Sequence, residues 1–336
     1  MTTKNFKYDQ NKPLFFLFTC VKNGRSFIQR LFNSLLNQSK INFVHYIYED
    51  GSDEPLGELV SNYIEDAKEK GIKVYYEYND RNIGLNLSTK HCIDKCNLPF
   101  FIWIDCDNWV DESFFEELEK LHKRNKKAVV LRSKRVLINY DTGSPSDNDD
   151  IWLYKNSISA KKSYDQYLIF GKYYFSFFAV SSTYYRCINV ENLMIDNRSF
   201  FNDQQILFIC SKNKQLFTFS ERAIGYCLIR GDSESSTNYL QTETMLQLFD
   251  ILNKKMNINQ INYTDCLLCI SLAREHRILL EKNKLIEAHH ILLQKRAIFK
   301  RNKIKNKVFP FCSKSLFSLI YFLFPRFAEL LLKMRK

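Results

Sequence analysis

The chain has 336 residues, 45% of them hydrophobic and 15% aromatic, enough to bury a large core in one big domain with an appendage, or in two domains. Lys plus Arg number 49 against 37 Asp plus Glu, and the net +12 suits nucleic acid, anionic lipid or a phosphorylated substrate. The ten cysteines follow no framework of spacings and no uncharged apolar run reaches spanning length, so neither a disulfide scaffold nor an ordinary membrane-spanning helix is expected. The start, MTTKNFKYDQNK, is polar, and the apolar run behind it is too short for a secretory segment. The C-x-x-C at Cys266 and Cys269 lies in the apolar run DCLLCISLA with no partner pair at zinc spacing, and reads as helix core. Reduced, buried thiols of a cytosolic protein are the expectation.

Leu14 to Val21 (LFFLFTCV) predicts a first buried strand, broken at Lys22-Asn23-Gly24. Phe27, Ile28, Leu31, Phe32, Leu35 and Leu36 then fall on one face at helical period. Asn42 to Glu49 is a second strand, and Leu56 to Ala67 an amphipathic helix stopped near Gly71. Ile72 to Tyr78 is a third strand, and residues 85 to 96 read as helix. Phe100 to Ile104 (FFIWI) follows as a strand buried on both faces. Strands alternating with helices, without hairpin signals, imply an α/β fold with a mainly parallel, doubly wound sheet. There is no G-x-G-x-x-G after the first strand and no P-loop, so a dinucleotide-binding fold is not expected.

The pivotal strand runs straight into Asp105-Cys106-Asp107. Burying two unpaired carboxylates is costly, so both belong just past the strand's carboxyl end, where open α/β sheets bind ligands. Residues i and i+2 point the same way in extended chain, so the pair suits one shared cation, and hard oxygen ligands favour Mg²⁺ or Mn²⁺. A helix with Phe114, Phe115, Leu118 and Leu121 comes next, then a short strand around Ala128 to Leu131. Residues 139 to 150 (NYDTGSPSDNDD) read as a mobile loop, Phe175 to Tyr185 as β-prone, and 216 to 230 as two short strands ending in Arg230. Asp203 opens an apolar helix, where a plain N-cap is the simplest role. Beyond Tyr239 the pattern is helical almost to the end.

Taken in order, these stretches resemble a family 2 glycosyltransferase of the GT-A (nucleotide-diphospho-sugar transferase) fold. LFFLFTCVKNG resembles the first strand and its nucleotide-contacting turn. YEDGSDE resembles the D-D-G-S-x-D segment, with Glu49 for the first Asp. NIGLNLS resembles the N-x-G-L stretch, IDCDN the D-x-D motif, and FFNDQQILF the later E-D motif, with Asn202 for Glu. Thr89 and Lys90 stand where the family often has Arg and Asn.

The resemblance covers about residues 12 to 235. It implies a catalytic domain over 1–235, with a nucleotide-binding half to about 110 and an acceptor half beyond it. A helical extension over 236–300 and a basic, aromatic tail over 301–336 complete the organisation. It further implies an inverting, metal-dependent enzyme using Mn²⁺ or Mg²⁺ and a nucleotide-sugar donor, a UDP-sugar by analogy. The acceptor would be a glycan or lipid-linked glycan of a surface polysaccharide. Asp107 would ligate the metal and Asp105 the metal or the ribose. Asp50 would bond the base, Thr19, Asn23, Asn82 and Gly84 would line the nucleotide pocket, Arg230 would meet the diphosphate, and Asp203 would be the general base. A catalytically silent nucleotide-sugar-binding or anchoring subunit is the rival reading. A sugar nucleotidyltransferase is disfavoured because Val21 to Arg25 lacks that class's glycine- and arginine-rich opening.

Residues 295 to 307 (KRAIFKRNKIKNK) hold seven Lys or Arg and no acid, and the apolar run Leu316 to Phe324 follows before Pro325. Too short and interrupted to span, this tail suits an interfacial segment on anionic lipid, giving a cytoplasmic protein peripheral on the inner face of the cell membrane; a helix packed on the catalytic domain with a solvated basic face is the alternative. No DNA- or RNA-binding motif appears and the charge is concentrated in the tail, so nucleic acid is not an expected partner.

Overall fold

The computed structural model describes residues 12–145, 158–159, 177–187 and 216–230, with isolated helical positions at 287, 290 and 294. The chain divides into two compact units, Met1–Lys161 with Phe175–Asn238, and Lys162–Tyr174 with Tyr239–Lys336. Every strand described here belongs to the first unit. The Cys266/Cys269 pair, Asp203 and the basic tail lie outside the described residues, and among those described no helix is long and apolar enough to cross a membrane.

Strands β1 (Phe15–Val21), β2 (Phe43–Asp50), β3 (Lys73–Asn79) and β4 (Phe100–Trp103) form a parallel sheet in the order β3-β2-β1-β4. Helices α1 (Ile28–Leu36), α2 (Gly57–Glu69) and α3 (Leu85–Lys95) make the crossovers. β1 and β2 are buried along their whole length, which is why they read as unbroken apolar runs rather than alternations. Phe15, Leu17 and Val21 join Phe43, Ile47, Phe100 and Ile102 in a core closed by Leu31 and Phe32 of α1, Val60 and Tyr63 of α2, and Phe114 and Phe115 of α4 (Phe114–Arg124). The alternate residues face α3, as the Cys20–Cys92 thiol contact at 3.7 Å shows. Helices therefore cover both faces.

The sheet continues beyond β4 with mixed direction. β8 (Phe178–Ser181) lies antiparallel between β4 and β6 (Ala128–Asn139), and β9 (Leu216–Ile229) runs parallel to β6. β5 (Trp109–Val110) and β7 (Ile158–Ser159) add antiparallel pairs to β9. The sheet is thus parallel in its first half and mixed in its second.

Three local expectations are corrected. The short strand at Ala128 extends to Asn139 because Arg132 and Ser133 are buried inside the sheet rather than ending it. The two short strands at 216–230 are one strand with an irregularity: Ser220 Oγ accepts from the Arg222 and Ala223 amides, and pairing with β6 jumps from Ser220 to Ile224. Ser182 to Cys187 is a helix, α5, not strand. The polar segment at 139–145 closes as a turn, in which Asn139 Oδ1 accepts from the Asp141 and Thr142 amides and Ile138 bridges Pro145.

Candidate active site

The carboxyl ends of β1, β2 and β4 lie along one edge, and their loops are locked together. Asn23, at φ 54°, takes the left-handed conformation that Asn tolerates. Its amide donates to Ser52 Oγ at 3.0 Å, its Nδ2 donates to Asp53 Oδ2 at 2.9 Å, and its Oδ1 accepts from the Asp53 amide at 2.9 Å. The loops after β1 and β2 are therefore clamped reciprocally. Gly24 presses on the acidic loop, since a Cβ there would lie 2.6 Å from Cys106 Sγ. Gly51, at φ 64°, lies so close to the chain before α3 that a Cβ would sit 2.5 Å from the Asn82 amide nitrogen.

Asp50 ends β2 almost fully buried, and both its oxygens are occupied. Oδ1 accepts from the Ile83 amide at 2.9 Å and from Asn79 Nδ2 at 3.4 Å; Oδ2 accepts from the Gly84 amide at 2.9 Å and Ser88 Oγ at 2.8 Å. A carboxylate has about four acceptor positions, and these four protein donors fill them, so Asp50 serves the framework in this structure. Asp50 holds the start of α3, where a negative charge is stabilised by the exposed amides. Asn82 Oδ1 adds a bond to the Gly84 amide at 2.9 Å, and Gly84, at φ 91°, is the N-cap. Glu49 does the same for α2: it is wholly buried, accepting from the Leu56 amide at 3.1 Å and Tyr76 hydroxyl at 2.5 Å.

Thr19 does not reach the cleft. It is fully buried, 3.1 Å from His45 Nε2, while His45 Nδ1 lies 3.0 Å from the Tyr63 hydroxyl. Its hydroxyl satisfies a buried imidazole, which burial pushes down to a pKa of about 3. The side chain expected beside the nucleotide makes a core hydrogen bond here.

The acidic pair lies where the sequence placed it, past β4. Asp105 is exposed, and its carbonyl accepts from the Asn108 amide at 3.1 Å. Buried Asn108 anchors the loop to β9, its Oδ1 accepting from the Leu228 amide at 3.2 Å. Asp107 is largely shielded and accepts from Arg230 Nη2 at 3.2 Å. The guanidinium lies 4.1 Å over the ring of Phe27. Burial, then the charges of Asp107 and Asp105, push the Cys106 thiol between them up, so it remains a neutral thiol.

Among the described residues no group of three or more His, Cys, Asp or Glu side chains gathers at one point. Two hard carboxylates on one loop, one of them holding a guanidinium, are the donor type that suits Mg²⁺ or Mn²⁺. The structure therefore brings Asn23, Asp105, Asp107 and Arg230 to the strand ends, with Asn82 and Gly84 on the loop tied to Asp50. Phe27, Ser88 and Asn108 are part of this framework too. Ser88 stood inside the NIGLNLS stretch without a role, and Phe27 read only as a helix-face residue.

Residues 17–184, half of the chain, match the description Glycosyl transferase family 2. The chain belongs to glycosyltransferase family 2. Comparison with curated proteins gives no match. Among solved structures, S. aureus TarS 1–349 in complex with UDP-GlcNAc has a TM-score of 0.56 at 13% identity, covering 83% of this chain and 80% of that one. A second crystal structure of S. aureus TarS 1–349 has a TM-score of 0.53 at 13% identity, covering 79% and 71%. This likeness is one of fold. The transferase thus has the GT-A architecture, with its acidic loop at the strand ends.

Proposed function

We propose that the transferase moves a sugar from a nucleotide-diphospho-sugar, a UDP-sugar, to a hydroxyl of a glycan or lipid-linked glycan in surface polysaccharide synthesis, inverting the anomeric centre. The observation that carries this is the convergence of Asn23, Asp105, Asp107 and Arg230 on the loops after β1, β4 and β9. That S. aureus TarS was crystallised with UDP-GlcNAc and with UDP supports the donor class.

In this reading Asp107 and Asp105 hold a Mn²⁺ or Mg²⁺ ion, which supplies Lewis-acid stabilisation of the departing diphosphate. Asn23 and Asn82, both exposed, face the donor, and the clamp on Asp53 keeps the first loop in place before binding. Arg230 meets the diphosphate. Asp203 removes the acceptor's proton as its oxygen attacks opposite the leaving group. The basic run at 295–307 beside an aromatic run supports attachment to the inner face of the membrane, where lipid-linked acceptors reside.

The experiment is nucleotide release by the purified full chain from UDP-, GDP- and CMP-sugars with Mn²⁺, Mg²⁺ or EDTA. Release from one UDP-sugar, abolished by EDTA, is the expected result; EDTA-insensitive release overturns the metal assignment. Asp203→Asn should bind donor normally and lose about 10² to 10⁴ in transfer rate. Near-wild-type turnover in that variant removes Asp203 as the base.

A further inference from the structure

The acidic loop already holds a cation belonging to the chain. Arg230 Nη2 contacts Asp107 Oδ2 at 3.2 Å, and the two side chains are only 18% and 17% exposed. The guanidinium is seated 4.1 Å over the Phe27 ring, at the N-cap of α1. Phe27 is braced edge-on by Tyr140 at 6.2 Å, and the Tyr140 amide donates to the carbonyl of Ile229 at 3.1 Å, one residue before Arg230. The start of α1 and the ends of β6 and β9 thus converge to set one guanidinium on one carboxylate. That carboxylate is the metal ligand in the reading above.

We propose that Arg230 is an internal counter-ion of Asp107 which a divalent cation displaces, and that Phe27 is the positioning residue keeping the displaced guanidinium beside the donor's diphosphate. The inference rests on the metal-dependent reading of this site and deepens it. A doubly charged ion ligated by Asp105 and Asp107 outcompetes a single delocalised charge. The released guanidinium has a planar fork that matches phosphate oxygens, so its lost partner is replaced when donor arrives. Without donor the ion must expel Arg230 and gains less; with donor both cations have acceptors. Metal and nucleotide therefore bind with positive linkage, and the linkage is reciprocal.

The test is binding by the full chain, with free Mn²⁺ read by electron paramagnetic resonance and UDP affinity by calorimetry at saturating Mn²⁺. Arg230→Gln should bind Mn²⁺ about fivefold tighter without nucleotide, because the guanidinium seen on Asp107 no longer competes. The same variant should bind UDP about tenfold more weakly. Phe27→Leu should move both affinities in the same directions by less, and Phe27→Tyr, which keeps the ring, should restore wild-type values. Arg230→Lys serves as the second variant should Gln disturb folding, and it should retain the competition while losing part of the UDP affinity.

An Arg230→Gln protein that binds Mn²⁺ no tighter than wild type, while wild type binds both ligands, overturns the counter-ion role and leaves the functional reading standing. Wild-type protein that binds UDP but no Mn²⁺ removes the metal reading and this inference with it. Phe27→Leu with unchanged affinities removes the positioning role.

Discussion

Asp50 carries the sharpest consequence at the scale of one side chain. Its oxygens accept four hydrogen bonds, from Asn79, Ile83, Gly84 and Ser88. Asp50→Asn replaces one acceptor oxygen with a donor facing two donors, and hydrogen bonds to charged groups contribute ~1.5–3 kcal/mol each. We expect a loss of about 3 kcal/mol in urea unfolding and faster amide exchange across 82–88. A variant of normal stability that merely loses preference for uracil would return Asp50 to the base-contact role. Gly51→Ala should be worse tolerated than its size suggests, because the new methyl meets the Asn82 backbone at 2.5 Å at a φ of 64°. Strain of ~1–3 kcal/mol follows, readable as a lower melting temperature together with weakened donor binding. Unaltered melting and binding would contradict the close approach. The D-G-S segment was legible as important from its place after the second strand. Its job was not, because residue type and spacing do not say which donors close over a carboxylate once the chain folds. The partner of Thr19 was hidden for the same reason: its strand reads as buried, but His45 lies 26 residues away in sequence.

The packed elements make a prediction about pH. Burial pushes His45 down to about 3, and burial with the Lys126 charge pushes His122 to about 4. Both lie below the unfolded value near 6.5, so the unfolded chain takes up protons that the folded one refuses. Their contribution is complete above about pH 6.5 and declines as pH falls toward the folded values, by up to ~1.4 kcal/mol per unit for the fully buried His45 and by less for the partly solvated His122. Glu119 acts lower down. Its burial alone would raise its pKa, but bonds from Lys123, Lys40 and Asn42 hold it at about 2, so its share persists above about pH 4.5 and fades only below. Urea midpoints measured between pH 7 and 5 therefore isolate the histidines, and should fall. His45→Gln should be less stable at pH 7 and show a shallower slope; a wild-type midpoint constant over that interval would refute the buried, neutral imidazoles. The regular elements to α4 were readable from apolar period because each buries one continuous stripe or run. β6 and β9 were misjudged in length because Arg132, Ser133 and Ser220 are polar residues buried by neighbours remote in sequence.

For the whole molecule, what sequence order could not give is the placement of β8. Strands joined by crossover helices imply parallel neighbours, and β1 to β4 obey. β8 enters antiparallel between β4 and β6, where Ala179 and Val180 meet Ile102 and Phe101. A single apolar tetrapeptide has no local signal for that slot. Its position has a bearing on how the protein is made. β1 to β4 can assemble as soon as they are synthesised, leaving the Phe-Phe-Ile-Trp edge of β4 without a neighbour until Phe178 emerges about 75 residues later. At bacterial or eukaryotic elongation rates of roughly 5–20 residues per second, that is on the order of 4 to 15 s with an apolar strand edge open beside the ribosome. Nascent chains arrested near residue 150 should bind holdase chaperones, and those long enough to expose Ser181 should release them; equal occupancy at both lengths would mean that β4 is shielded by other means. The strand that completes the floor beneath the acidic loop is then also the one that ends the chain's most vulnerable interval during translation.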